Sequence, residues 1–457
     1  MKVQGWVKVL PFYLFTLLPL GAQTSPWTLE RCIDYAVEHN ITVKQYEQQV
    51  EQRAIQHSNA RNQRLPDLNA SAGQNFSFGR GLTAQNTYTN TNTSSTSFSL
   101  GTSIPLFTGF QIPNQIKLSQ LNLEAATQDL EKARNDIRVQ VAQQYVQVLY
   151  DMEILDVARR QISIDSAQTV RLQTLLDVGR TSQAELSQQQ ATLAQSRLTA
   201  TQAQNNLQLA LLNLSQLLEL DSPEGFTIEA PQASEGCLVK GEGRIDLQNN
   251  PPFTTHPSPF TTHPSPFTTR PEIQAEELRL RATEYNIKIA QAGLYPTLSF
   301  SAGLGTNYYT TSGFQSDAFG RQLKNNFSQY LGLNLSIPIF NRFQTRNSIR
   351  SAKLDRINQQ LQLDQAKKTL YKEIQTAYYN TVAAQEKLRA SDEARRASHD
   401  AFTLMQAKYE QGKATSTEFN EARANLLKAE SDLTQARYEY LYQHALLQFY
   451  QGEPLHF

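Results

Sequence analysis

The stretch that decides the fold is Leu65-Pro66-Asp67-Leu68-Asn69-Ala70-Ser71-Ala72-Gly73. It recurs 230 positions later as Tyr295-Pro296-Thr297-Leu298-Ser299-Phe300-Ser301-Ala302-Gly303. A second stretch, Ser103-Ile104-Pro105-Leu106-Phe107, recurs as Ser336-Ile337-Pro338-Ile339-Phe340 at an offset of 233. The same motifs in the same order indicate two copies of one structural unit.

Each copy contains two segments of alternating sequence, which predicts paired β-strands at about 67–79 with 96–107, and 297–309 with 327–340. One face of each strand is apolar and the other is small and polar, as in strands that face lipid on one side. The connecting loops, 79–95 and 309–326, would then be extracellular.

Helical periodicity surrounds these strands in both copies. We expect a first helix at about 28–64 and 271–294, a very long helix at about 112–177 and 343–410, and a return helix at about 182–219 and 415–450. A helix of about 66 residues spans on the order of 100 Å. Its narrow apolar stripe predicts coiled-coil-like packing against neighbouring helices.

The two ends of the first copy are marked by composition. Residues 1–22 are typical of a signal peptide, with Lys2 and Lys8 before an apolar run. Residues 221–270 are predicted to be a proline-rich equatorial linker that carries tandem heptads with His256 and His263. The first repeat then covers 23–220 and the second covers 271–457. A duplicated low-complexity stretch explains the two histidines better than a metal site does.

Bulk composition excludes several classes of protein. Lys plus Arg equals Asp plus Glu at 42 each, so nothing favours a nucleic-acid partner. Two cysteines, Cys32 and Cys237, are too few for a disulfide scaffold, and Cys32 is expected to be a small apolar residue on the first helix. No catalytic or phosphate-binding motif occurs, so we expect neither enzymatic activity nor a cofactor.

No segment after the predicted signal peptide reaches 18 consecutive apolar residues, so no transmembrane helix is predicted. Four strands are also too few to close a barrel. A membrane crossing therefore requires several protomers that share one β-barrel, because strand edges cannot stay unpaired in lipid. The predicted fold class is mainly α with transmembrane β: four strands per protomer in a shared oligomeric barrel, plus long coiled-coil-like periplasmic helices.

With these features in order, the sequence resembles the TolC-like outer membrane efflux protein family over nearly all of the mature chain. The resemblance implies a homotrimeric channel in the cell outer membrane, with a twelve-stranded barrel and a helical tunnel in the periplasm. It implies a tripartite efflux or type I secretion system, in which a periplasmic adaptor (membrane fusion) protein and an inner-membrane transporter are the partners. The substrate, whether drug, metal or protein, stays open.

Two glycine turns join the long and return helices, at Gly179 and Gly412. Ser182 with Glu185, and Thr415 with Glu418, have the spacing of capping boxes. The resemblance places Glu418, Glu421 and Tyr409 at the periplasmic tunnel constriction. Glu185 repeats as Glu418, which favours the capping role for Glu418, whereas Glu421 repeats as Gln188 and is specific to the second copy. Ala414 stands where some relatives carry an arginine.

A second class of function also fits the long helices: a non-conducting periplasmic coiled-coil scaffold or an adhesin stalk. Two alternating hairpins at matching places favour the channel.

Overall fold

The computed structural model describes residues 26–82, 86–222, 225–229 and 270–455. The predicted signal peptide, nearly all of the predicted linker, Cys237 and both heptad histidines lie outside these ranges. None of the helices in the described ranges is both long enough and apolar enough to span a membrane.

The first copy runs α1 (Leu29–His39), α2 (Ile41–Asn62), β1 (Asp67–Leu82), β2 (Tyr88–Thr108), α3 (Gln111–Asp177) and α4 (Gln183–Leu217). The second runs α5 (Pro271–Ala292), β3 (Thr297–Thr311), α6 (Phe319–Asn325), β4 (Ser328–Ser336), α7 (Gln344–Glu410) and α8 (Ser416–Gln451). The fold class predicted for the protomer, long helices with four strands, is confirmed.

Three predicted boundaries are wrong. The helix predicted at 28–64 is two helices, because Asn40 leaves the helical conformation and its side chain caps α2 by accepting from the Thr42 backbone N–H at 2.9 Å. The strand predicted at 327–340 ends at Ser336, because Ser336 pairs with Thr297, the first residue of its partner strand β3. Strand β2 begins at Tyr88, so much of the predicted loop 79–95 is paired with β1.

The strands form one antiparallel sheet in the order β1-β2-β3-β4. The β2–β3 pairing joins the two copies, with Gly101 opposite Gly303. Tyr330 on β4 lies opposite Gly303, and its ring occupies the space where a side chain at Gly303 would stand. One edge of β1 and one edge of β4 have no partner in the described part of the chain.

Both copies turn from strand to long helix in the same way. The residue before α3, Phe110, has φ +68°, and the residue before α7, Phe343, has φ +62°. Each packs edge to face on a phenylalanine at its strand end, Phe107 at 5.2 Å and Phe340 at 5.5 Å between ring centroids. This shared corner gives the two 67-residue helices the same start relative to the sheet.

The largest apolar core of the described residues lies between α1, α3 and α4, where the two chain ends of the described first copy come together. Tyr145 of α3 is buried there and donates from its hydroxyl to the carbonyl oxygens of Glu229 at 2.7 Å and Trp27 at 3.2 Å. Cys32 is fully buried in the same core, as predicted, and burial raises the pKa of its thiol to about 12. The core therefore fixes the middle of the molecule, far from the sheet and from the glycine turns.

Candidate functional site

The candidate site is the end of the molecule where both long helices reverse direction. Gly179 and Gly412 follow α3 and α7 with φ +70° and +69°. The Gly179 N–H donates to Leu176 and the Arg180 N–H to Leu175; Gly412 and Lys413 donate in the same pattern to Tyr409 and Lys408. Both turns are therefore Schellman motifs, which need a residue that tolerates the left-handed conformation.

The return helices are capped in related ways, but not identically. At α8, Thr415 Oγ1 accepts from the Glu418 N–H, and the Glu418 carboxylate accepts from the Thr415 N–H at 2.8 Å, so this predicted capping box is complete. At α4, Ser182 accepts from the Glu185 N–H at 3.2 Å, but the Glu185 carboxylate accepts from the Thr181 hydroxyl. The predicted reciprocal box at Ser182 is thus only half formed.

The two candidate constriction glutamates differ in what holds them. The carboxylate of Glu418 is held by Thr415, and these hydrogen bonds lower its pKa from the ordinary value of 4.5. Glu421 lies one turn further along α8 and is exposed. Residues three apart lie on neighbouring positions of a helix surface. The structure therefore gives Glu418 a local structural role and leaves Glu421 outside the cap.

Tyr409 connects the two turns. Its ring stacks on Phe419 of α8 with centroids 4.8 Å apart, and Phe402 also packs against Phe419. The Gln168 side chain of α3 is close enough to the Tyr409 hydroxyl to affect its pKa. Burial raises the pKa of Tyr409, and the negative charge of Glu185 adds to that shift. The structure thus brings Tyr409, Glu185 and both helical hairpins together at one tip.

A buried polar cluster near this tip was not predicted. Asp165 of α3 is fully buried and forms an ion pair with Arg423 of α8, which is 8% exposed. The Asp165 carboxylate also accepts from Gln161 at 3.1 Å and from Ser196 of α4 at 2.5 Å. Neither charge has a charged counterpart in the other copy, since the matching positions are Ser398 and Gln190. That break in repeat symmetry was the signal available in the sequence.

A cavity of about 450 Å³ lies beside the ion pair, between α3, α4 and α8. Arg423 Nη1 and Asn420 Oδ1 are buried at its wall without a hydrogen-bond partner in the described part of the chain. In the described ranges, no group of three or more His, Cys, Asp or Glu side chains is placed to hold a metal ion.

The family described as outer membrane efflux protein matches residues 32–219 and 268–453, more than half of the chain. The chain belongs to the outer membrane efflux protein family. This membership confirms the predicted resemblance and the predicted outer-membrane location.

Individual relatives of this outer membrane efflux protein are distant. Outer membrane protein TolC of Salmonella enteritidis is 25% identical over 155 residues, which cover 34% of this chain and 32% of TolC. Outer membrane efflux protein BepC of Brucella suis is 21% identical over 341 residues, which cover 73% of this chain and 67% of BepC. The match spans only about a third of the length of the TolC relatives.

Solved structures share the whole fold. The outer membrane protein VceC of Vibrio cholerae has a TM-score of 0.74 at 17% identity, covering 94% of this chain and 97% of VceC. The CmeC outer membrane channel of Campylobacter jejuni has a TM-score of 0.74 at 18% identity, covering 91% and 84%. At these identities the likeness establishes the fold of this efflux protein.

Proposed function

We propose that this chain is one subunit of a homotrimeric outer-membrane channel in a tripartite efflux or type I secretion system. The channel carries substrates from an inner-membrane transporter, through a periplasmic adaptor, to the cell exterior. It works as a conduit and catalyses no reaction. Its partners are two further copies of itself, the adaptor, the transporter and outer-membrane lipid, and it uses no cofactor and no nucleic acid.

The open four-stranded sheet is the observation that carries this proposal. Strand β4 presents a row of exposed apolar side chains on one face, with Leu331, Leu333 and Leu335 between 59% and 79% exposed. In lipid, the backbone groups at the free edges of β1 and β4 need hydrogen-bond partners. Pairing β4 of one subunit with β1 of the next subunit satisfies both edges, and three subunits give a twelve-stranded barrel.

The helical half supplies a conduit of the right length. Helices α3 and α7 each run 67 residues, on the order of 100 Å, from the strand corner to the tip turns. They pack with α4 and α8 as two antiparallel hairpins. Three subunits together contribute six such hairpins, which form a cylinder below the barrel. Glu418, Glu421 and Tyr409 then lie at its narrow periplasmic end, between the turns at Gly179 and Gly412.

The test is conduction by the purified mature protein. We expect a trimer by native mass spectrometry in detergent, and stepwise ion conductance when that trimer is added to a planar lipid bilayer. A protein that stays monomeric, or a trimer that inserts into the bilayer without conducting, would contradict the proposal. The second outcome would favour a non-conducting scaffold instead.

A further inference from the structure

The strands and their connections carry charge only toward the predicted extracellular end. In the sequence, positions 68–107 and 298–340 contain one acid and three cations, which are Asp317, Arg80, Arg321 and Lys324. Arg80 lies in the far half of β1, and the other three lie in the connection between β3 and β4. The extracellular rim is therefore basic, whereas the rest of the sheet is neutral.

Helix α6 is attached to the edge of β3 above the point where β4 begins. Strand β4 pairs with β3 only as far as Ser328, opposite Gly305, and β3 continues to Thr311. In that upper part, the Gln322 side chain of α6 takes the place of a neighbouring strand. It accepts from the Tyr309 N–H at 2.9 Å and donates to the Tyr309 carbonyl at 3.0 Å. These two hydrogen bonds fix α6 against the rim of the sheet.

Two further contacts place α6 on the apolar face of β3. Thr306 and Tyr308 share a face with Leu304, because side chains alternate along a strand. The Thr306 hydroxyl donates to the Leu323 carbonyl of α6 at 2.6 Å, and the Tyr308 ring packs edge to face on Phe319 with centroids 5.0 Å apart. In a barrel this face contacts lipid, so α6 would lie on the outer side of the rim.

The height of α6 on the barrel corresponds to the lipid headgroups. The apolar side chains of this face run from Leu298 to Leu304, and Tyr308 further up pairs with the polar Thr96. The strand between Leu298 and Thr306 measures about 27 Å, or about 20 Å in height at a tilt of about 40°. An apolar band is about 25 Å tall. Helix α6 therefore begins where hydrocarbon gives way to headgroups.

We propose that Arg321 and Lys324 of α6, together with Arg80 of the adjacent subunit, bind the phosphate groups of outer-leaflet lipid. This inference rests on the proposed trimeric barrel, in which β4 of one subunit lies beside β1 of the next. That pairing brings Arg80 to the subunit boundary where α6 lies. Arg80 shares its face of β1 with Phe76 and Phe78, which are 61% and 75% exposed, so it also points to the lipid side.

The cations of α6 are accessible to such a headgroup. The Arg321 side chain is 70% exposed, and its pairing with Asp317 at 3.1 Å is a surface ion pair, which contributes little and leaves Arg321 able to bind phosphate. Lys324 is exposed. Clustered cations beside apolar and aromatic side chains are the pattern that anionic lipid headgroups recognise.

Native mass spectrometry of the purified mature trimer, titrated with diphosphoryl lipid A, tests the proposal. Phosphatidylethanolamine, which has no net charge, is the comparison lipid. We expect R321Q/K324Q to weaken the binding of lipid A at least fivefold and to leave the binding of phosphatidylethanolamine unchanged. R321K/K324R keeps both charges and should bind lipid A like the wild type. The control K408Q/K413Q removes two exposed cations at the opposite end of the molecule and should also bind like the wild type.

The wild-type trimer gives a second result that needs no variant. Its binding of lipid A should weaken several-fold when the salt concentration is raised tenfold, because salt screens exposed charges. Lipid A binding that is independent of salt, that is equal in the wild type and R321Q/K324Q, or that falls equally in K408Q/K413Q would overturn the inference. A conducting trimer without selective binding of lipid A would leave the proposed channel function intact, whereas a protein that forms no trimer would contradict that function itself.

Discussion

At the scale of single residues, Glu421 is the charge that the second copy adds to the tip. Its repeat counterpart is Gln188, and it lies outside the cap that holds Glu418. In a trimer, the three Glu421 carboxylates around a narrow pore would form a negative ring, which favours cations over anions. We expect Glu421→Gln to shift the reversal potential in a salt gradient toward lower cation selectivity.

The matched control is Glu386→Gln on α7. Glu386 is paired with Arg389 three residues away and lies far along the helix from the tip. This variant should leave the reversal potential at the wild-type value. Equal reversal potentials for the wild type and both variants would show that Glu421 does not line the constriction.

The cap of α8 is a second prediction at this scale. Thr415→Ala removes the acceptor of the Glu418 N–H, which should destabilise the first turn by about 1 kcal/mol. Amide hydrogen exchange in that turn should then become about fivefold faster. Ser182→Ala, at the half-formed box of α4, provides the comparison, and an unchanged rate in both variants would contradict the capping role.

The Glu418 half of this cap depends on pH. Because hydrogen bonds lower the pKa of Glu418 in the folded protein, its contribution is complete above the ordinary pKa of 4.5. It is lost as the pH falls through the lower folded value. The protection factors of the amides in the first turn of α8, which correct for the intrinsic pH dependence of exchange, should therefore fall on acidification, and Glu418→Ala should abolish that fall.

Residue-scale features were readable from the sequence only where they are local. Glycines at helix ends and a Thr-x-x-Glu spacing involve residues within a single turn, so Gly412 and the Thr415 cap could be predicted. The Asp165–Arg423 pair could not, because its partners lie in different copies and meet only when α3 packs on α8. Tyr409 was placed by family resemblance, and its contact with Gln168 emerges only in the structure.

At the scale of elements, the same distinction explains the boundaries. The long helices were predicted closely, since 67 residues of continuous periodicity outweigh any local irregularity. The break at Asn40 was missed because it depends on tertiary contacts: the Asn40 amide donates to the Leu217 carbonyl at 3.1 Å, and Glu219 accepts from the Ile41 N–H. The start of β2 was missed because its Asn- and Thr-rich sequence lacks an apolar face.

The turn at Gly412 yields a prediction for the α7–α8 hairpin. Nothing lies within 4 Å of a side chain added there, so the cost of Gly412→Ala is purely that of the left-handed backbone, about 1–2 kcal/mol. The urea midpoint of unfolding should fall for Gly412→Ala and for Gly179→Ala. Gly320→Ala, in α6, also meets no neighbour and has no positive φ, so the midpoint should not fall and should rise slightly, because alanine favours a helix over glycine. Equal midpoints for all three variants would contradict this assignment.

The packing of α3 on α8 yields another. Asp165→Asn leaves Arg423 buried without its counter-charge, which should destabilise the fold by about 3–5 kcal/mol. The double variant D165L/R423M replaces both charges with apolar groups and should unfold near the wild-type urea midpoint. Asp156→Asn breaks the exposed Arg160–Asp156 pair on the same helix, worth about 0–1 kcal/mol, and is the control. A double variant as unstable as Asp165→Asn would contradict this account.

At the scale of the whole molecule, oligomerisation could be predicted from the sequence, because four predicted strands are too few to close a barrel. Two copies with two strands each leave two edges, whatever the details of the loops. The order β1-β2-β3-β4 shows how the copies share the sheet, with the β2–β3 pairing at its centre. What strand alternation could not show is the corner at Phe110 and Phe343, where left-handed backbone turns each strand into its long helix.

The exposed apolar face of β4 yields a prediction for the whole assembly. Leu333 lies on the apolar face of β4, 69% exposed in the single chain, and its neighbour Asn334 points to the opposite face. In a barrel, Leu333→Arg would place a cation in hydrocarbon at a cost of about 2–4 kcal/mol near the midplane. Asn334→Arg would place the same charge in the aqueous lumen. We therefore expect Leu333→Arg to reduce trimer recovery from outer membranes strongly, and Asn334→Arg to insert normally while changing conductance. Equal recovery of the two variants would mean that this face of β4 does not contact lipid.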